Sequence, residues 1–150
     1  MVESFTVKNY MSYRDSVELS FLASKKEKSS PLPPEWYQEI DGKRILRLLL
    51  CVGLNGTGKT KMIEALQYLR MLAIYKPEKP TDHPAYRPFL FDEQSRYEPS
   101  ELSLTYYINN ISYYYYIKVS EKRIEEEILK QLSPNILLYH RSYNRETDTV

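Results

Sequence analysis

An α/β fold with one parallel core strand is the class this sequence predicts, on three observations that follow one another along the chain. Residues 45–52, Ile-Leu-Arg-Leu-Leu-Leu-Cys-Val, are apolar at nearly every position, as a strand covered on both faces must be. The run passes straight into a glycine loop, Gly53-Leu54-Asn55-Gly56-Thr57-Gly58-Lys59-Thr60. Beyond it Met62, Leu66, Leu69 and Ala73 recur at spacings of four, three and four, with Lys61, Glu64, Gln67 and Arg70 on the other side. That pattern predicts an amphipathic helix ending before Pro77.

The remaining elements are read in order. Phe5 and Val7 alternate with polar residues, and Val17, Leu19 and Phe21 do so again after Ser12 to Ser16, which predicts an antiparallel pair of short strands. Residues 23–43 lose the pattern and carry Pro31, Pro33 and Pro34. They predict an exposed loop, with Trp36 and Tyr37 as anchors. Its Lys25, Lys26 and Lys28 beside Glu27 read as a solvated patch. Residues 77–100 hold five of the nine prolines and predict an irregular excursion. A hairpin follows: Leu102, Leu104, Tyr106 and Ile108 alternate up to Asn109-Asn110, and Ile111, Tyr113, Tyr115, Ile117 and Val119 alternate after it. Paired Asn suits the positive φ angles of a tight turn. Residues 123–132 fit either a helix face or a strand, and Ile136 to Tyr139 predict a last strand.

At 150 residues the chain supports one core, so residues 1–150 are expected to form a single unit with irregular insertions at 23–43 and 77–100. Charged residues make up 27% and nearly cancel to a net charge of +1, so no global field gathers nucleic acid or acidic membranes. The single Cys51 lies inside the apolar run, where it is expected to be shielded and reduced. The start MVESFTVKNY lacks the features of a signal peptide, and no run reaches the ~20 apolar residues that span a bilayer. A soluble, cytoplasmic protein without a membrane partner is expected.

The chemistry lies in the glycine loop, which fits Gly-x-x-x-x-Gly-Lys-[Ser/Thr]. Glycines let successive backbone N–H groups turn inward around a phosphate, and the helix that starts there adds the positive end of its dipole. Lys59 is the catalytic candidate, its ammonium directed at the β- and γ-phosphates, and Thr60 offers its hydroxyl to magnesium. Asn55, Gly56, Thr57, Gly58, Lys59, Thr60 and Lys61 are the expected nucleotide contacts, with ATP and Mg2+ as the ligands. A chance glycine turn is the bland alternative, but three of the chain's four glycines fall within these eight residues.

Other candidates fare worse. Phe89-Leu90-Phe91-Asp92-Glu93 has the outline of a magnesium-binding acidic strand, yet Pro88 precedes it and only three apolar residues build it, so it reads as a decoy. Tyr113 to Tyr116 invite comparison with a stacking platform for unpaired bases. Alternation sends Tyr113 and Tyr115 to one face and Tyr114 and Tyr116 to the other, as in an ordinary half-buried sheet. Nucleic acid is therefore an unsupported partner. His83 and His140 stand at no ligand spacing.

Three stretches carry a family likeness: the opening strand Phe5-Thr6-Val7-Lys8-Asn9-Tyr10, the Gly-x-Asn-x-x-Gly-Lys form of the loop, and Glu64-Ala65-Leu66 in the following helix. In these the chain resembles the N-terminal part of an ABC/SMC-type ATPase head, of the broad group that includes RecF-like and OLD-like proteins. It is most similar to the bacterial AAA-type ATPases of abortive-infection and phage-defence systems. There a second strand like Val17 to Phe21, a Lys-rich loop, the phosphate loop, Phe89 to Asp92, Pro99-Ser100, Ile124 and Glu127, and Leu137 to Arg141 come in this order. Lys61, where relatives carry Asn, and Thr57, where many carry Ser, depart from the pattern.

The resemblance implies a P-loop NTPase, the first lobe of an ABC-type ATPase, with a parallel core strand, a P-loop helix and an antiparallel β layer. It implies ATP hydrolysis by a homodimer of heads closed around two ATP molecules, with adenine near Lys8 to Tyr13. An effector nuclease is the partner it suggests, and antiviral defence the setting. The glutamine loop, signature helix, acidic strand and switch histidine are not recognisable, so the chain is expected to be the first part of a longer ATPase that hydrolyses poorly alone. Two rivals stand beside this reading. A small-molecule kinase needs further arginines for its acceptor and a GTPase an Asn-Lys-x-Asp, which is missing. A non-enzymatic module would use the loop structurally or the hairpin on nucleic acid.

Overall fold

The computed structural model describes residues 1–24, 32–79 and 82–144. The lysine patch at 25–28 and Pro31 lie outside the described residues. Strands β1 (Val2–Lys8) and β2 (Val17–Ser20) come first, then a 3-10 turn (Pro34–Trp36), β3 (Tyr37–Ile40) and β4 (Lys43–Leu46). Helix α1 (Lys59–Ala73) follows, and then β5 (Ser100–Ile108), β6 (Ile111–Val119), β7 (Ile124–Leu132) and β8 (Asn135–Ser142). Six strands form one sheet in the order β2-β1-β5-β6-β7-β8, and β3 and β4 form a separate pair.

Period-two patterning decides most of this. Val7 faces Val17 across the antiparallel β1–β2 pair, and the β5–β6 hairpin closes at Asn109 and Asn110, whose φ angles are 51° and 63°. Asn accepts the left-handed region because its short polar side chain bonds locally. Residues 124–132, equally compatible with a helix, become a strand because β6 offers them a full row of pairing groups, from Tyr113↔Gln131 to Val119↔Ile124. A helix there would leave that row unpaired, a cost that tertiary context imposes and local pattern does not reveal.

Two packed faces result. On one, Phe5, Val7, Leu102, Ile117, Val119 and Ile124 meet α1 through Met62, Ala65, Tyr68, Leu69 and Leu72. The buried stripe is rotated from the predicted one: Leu66 and Ala73 are exposed, while Ala65, Tyr68 and Leu72 are buried. The stacking of Tyr68 on Tyr10, with ring centroids 5.0 Å apart, holds the helix in that rotation. At one end of the sheet Ile40, Ile45 and Tyr107 form a second cluster with Met1 and Phe21. Beside it buried Glu3 accepts from Lys43 Nζ at 3.0 Å and from the Tyr107 hydroxyl at 2.6 Å.

The predicted α/β class, a P-loop fold with a parallel core strand, is not what forms. The sheet is antiparallel throughout, with one helix on it. Of the apolar run 45–52 only Ile45 and Leu46 lie in a strand, and that strand pairs antiparallel with β3, Tyr37 opposite Leu46. Further on, Leu48, Leu50 and Val52 are 79%, 82% and 81% exposed, and Cys51, expected to be shielded, is exposed. Apolar composition supplies a tendency to be covered, but a strand also needs a neighbour for its N–H and C=O groups. Among the described residues none pairs with 48–52. Within 23–43, expected to be loop, Tyr37–Ile40 and Lys43–Leu46 instead make a hairpin across Asp41-Gly42, both at positive φ. No helix among the described residues is long and apolar enough to cross a membrane.

Asn9 joins β1 to the proline-rich excursion. It is buried, with φ at 50°, and its Nδ2 donates to the carbonyls of Ser95 at 2.8 Å and Glu98 at 2.6 Å. Its Oδ1 accepts from Phe89 N at 3.0 Å, and its own carbonyl accepts from Ser100 Oγ. Asn9→Ala leaves several buried groups unpartnered and is expected to destabilise the fold by about 2–4 kcal/mol in urea unfolding; a change below about 0.5 kcal/mol would contradict this role. A second expectation concerns alkali. Burial raises the hydroxyl pKa of Tyr10, Tyr13, Tyr68, Tyr86, Tyr106, Tyr107, Tyr115 and Tyr116 above the ordinary 10.0. The native chain therefore keeps protons that the unfolded chain releases, so this stability is fully present below about pH 10 and declines as pH rises above it. Urea midpoints measured from pH 8 to 11.5 should fall only above pH 10.

Candidate functional site

The glycine loop is shaped by residues at both of its ends. Gly58 is the N-cap of α1 and stands in the left-handed region, φ 88° and ψ 0°. A Cβ there would come within 3.1 Å of Tyr13 Oη and 3.3 Å of its Cζ. Glycine is thus required twice at this position, by dihedral angle and by space. The close neighbour is a strap: the Tyr13 hydroxyl donates to the Gly58 carbonyl at 2.8 Å. Tyr13 is held in turn by a tight turn in which Tyr10 N donates to Tyr13 O and Tyr13 N to Tyr10 O, both at 2.8 Å.

A concavity of about 280 Å³ opens on this loop, walled by Ser12 and by Asn55, Gly56, Thr57, Gly58, Lys59, Thr60 and Lys61. All seven residues expected to contact nucleotide are brought together. Of the stretch Lys8 to Tyr13, Ser12 reaches the wall and Tyr13 straps the loop, while Asn9 and Tyr10 are buried in the fold. Lys8 is directed at Glu101, 3.4 Å away.

The concavity is rich in donors. The first helical bond runs from Met62 N to Gly58 O at 3.1 Å, so the N–H groups of Lys59, Thr60 and Lys61 have no acceptor within the helix. No side chain caps them and no acidic residue lies in the first turn. Two lysines sit instead at the positive end of the helix dipole, each unfavourable there by roughly 0.3–1 kcal/mol until an anion arrives. Lys61 is compensated by Glu64 at 2.8 Å. The Lys59 ammonium is folded into the loop, donating to Gly53 O at 2.7 Å and Leu54 O at 2.6 Å, with Thr57 Oγ1 at 3.3 Å. Thr57 Oγ1 itself donates to Leu54 O at 2.9 Å. Thr60 is exposed at the rim.

The competing candidates have other occupations. Residues 89–92 form no strand. Asp92 closes a turn, accepting from Ser95 Oγ at 2.7 Å and Ser95 N at 2.9 Å. Those hydrogen bonds hold its carboxyl below the ordinary value, with a smaller contribution from Arg14. The hairpin tyrosines split between faces as alternation requires and lie beside acids: Tyr115 donates to Glu127 at 2.5 Å and Tyr116 to Glu101 at 3.0 Å. Carboxylates beside the rings are unsuited to a polyanion. His83 Nδ1 lies 2.7 Å from Lys122 O, and His140 Nε2 3.2 Å from Glu126.

The Tyr13 strap had no signal in the sequence, because it joins residues 45 positions apart. Gly58→Ala is expected to cost about 1–3 kcal/mol through the forced left-handed alanine, more than alanine at an ordinary helix start, and a thermal melt no lower than that of the parent chain would contradict the geometry. No family model matches this chain, and no curated protein matches it.

Proposed function

We propose that the chain binds a nucleoside triphosphate with magnesium, ATP in the first instance, at the loop Gly53 to Thr60. One observation carries the reading: the motif's glycine, lysine and threonine stand on a helix start whose donors are uncapped and whose first turn holds lysines and no acid. A helix start of that composition is poorly matched to its own dipole and well matched to phosphate oxygens. The reading stands on the loop and α1 and requires no parallel sheet.

Each residue then has a distinct task. Backbone N–H groups from Gly56 to Lys61 take the phosphate oxygens, as oriented amides do in an anion nest. Lys59 exchanges its present acceptors, the carbonyls of Gly53 and Leu54, for the β- and γ-phosphates, where the charge contact is stronger. Thr60 supplies its hydroxyl to the magnesium ion. Ser12, which also lines the concavity, is the candidate for the ribose or base side.

Hydrolysis calls for a carboxylate that holds magnesium and a group that orients water. Asp92 is engaged with Ser95 and is not assigned that task. We assign turnover to a complete assembly in which two such chains meet head to head, as the ATPase of a defence system. ATP affinity measured by titration calorimetry on the parent chain and on Lys59→Ala tests the binding reading. Lys59→Ala should lose ATP binding by at least about a hundredfold, through loss of its charge-assisted contact to the phosphates; unchanged affinity in a folded variant would overturn the assignment.

A further inference from the structure

A second cavity, of about 440 Å³, lies at the far end of α1 from the glycine loop. Its position makes it a separate place, since a helix of 15 residues is about 22 Å long. Pro77, His83 and Pro84 from the excursion form one side, and Lys122, Arg123 and Ile124, between β6 and β7, form another. Arg141 and Tyr143, at the end of β8, and Tyr75, just past α1, complete it. The volume is that of ordinary small-molecule pockets.

Among the described residues that line it, three carry positive charge, Lys122, Arg123 and Arg141, and one is a carboxylate, Asp82, which is already engaged by the backbone N–H groups of Glu78 and Lys79 at 2.9 Å each. Arg141 meets Glu127 through Nε at 2.7 Å, a contact that does not involve its four Nη donors. Arg123 lies over the Tyr143 ring at 3.7 Å, which fixes a guanidinium against an aromatic wall. His83 is oriented by Lys122 O.

Tyr75 borders the cavity, but its hydroxyl is shut off from solvent and so from a molecule in the cavity.

The geometry points to a binding site for a small organic phosphate, its phosphoryl oxygens taken by Lys122, Arg123 and Arg141, its body against Pro84, Ile124 and Tyr143. Phosphate suits the set because guanidinium and ammonium are both donors to it. The site is independent of the glycine loop and of the function proposed for it.

The test uses the whole chain carrying Lys59→Ala, which removes the loop's contribution, and calorimetric titration with phenyl phosphate and with inorganic phosphate. Saturable 1:1 binding is expected, tighter for phenyl phosphate. Adding Lys122→Glu, at an exposed position, should weaken it about tenfold. Absence of phenyl phosphate binding, or binding that Lys122→Glu does not alter, would overturn the proposal.

Discussion

The buried amide of Asn9 is the contact on which the arrangement around the glycine loop depends. One side chain at the end of β1 gathers the carbonyls of Ser95 and Glu98 and the N–H of Phe89. It thereby fastens an excursion with no regular element to the rim of the sheet. Its left-handed backbone also turns the chain into the tight bend that begins at Tyr10. From there two tyrosines reach α1: Tyr10 stacks on Tyr68, and Tyr13 bonds the carbonyl of Gly58. Helix rotation and loop entry are both consequences of where that bend lies. An aliphatic residue at position 9 could neither adopt the dihedral cheaply nor satisfy the buried groups.

The loop is held by means other than a preceding strand. Residues 48–54 run between β4 and α1 outside any strand, exposed apart from the half-buried Leu49, so the loop's shape comes from its C-terminal side and from within. Gly58 and the Tyr13 strap set the C-terminal side, while Lys59 and Thr57 close the loop on the carbonyls of Gly53 and Leu54. An anion at the loop would have to draw Lys59 away from these carbonyls. The two ends of α1 also differ in kind. At its start uncapped N–H groups and lysines favour anions, and just past its end Tyr75 borders the second cavity.

Antiparallel pairing makes the sheet self-sufficient in a way that a lone parallel strand is not. Hairpin partners are adjacent in sequence, so β5, β6, β7 and β8 find one another through short turns. A parallel neighbour requires a crossover from elsewhere. The exposed Leu48, Leu50 and Val52 are the places where this difference is most visible.

The sequence by itself determined the elements whose information is local. Alternation at Phe5 and Val7 and at Leu102 to Val119, the Asn109-Asn110 turn, and the helix after Lys59 each arise from neighbours within one or two turns of chain. That the seven loop residues from Asn55 to Lys61 share one concavity follows for the same reason, since they come from one short segment. Only the tertiary structure decided the rest. An apolar run at 45–52 states that burial is favourable without naming the strand that would pair with it, and so it could not reveal that β4 ends at Leu46. Residues 124–132 took strand form because β6 was beside them. The Tyr13 strap and the Asn9 amide join positions 45 and 80 or more residues apart, and such contacts exist only once the chain has folded to bring donor and acceptor within hydrogen-bonding reach.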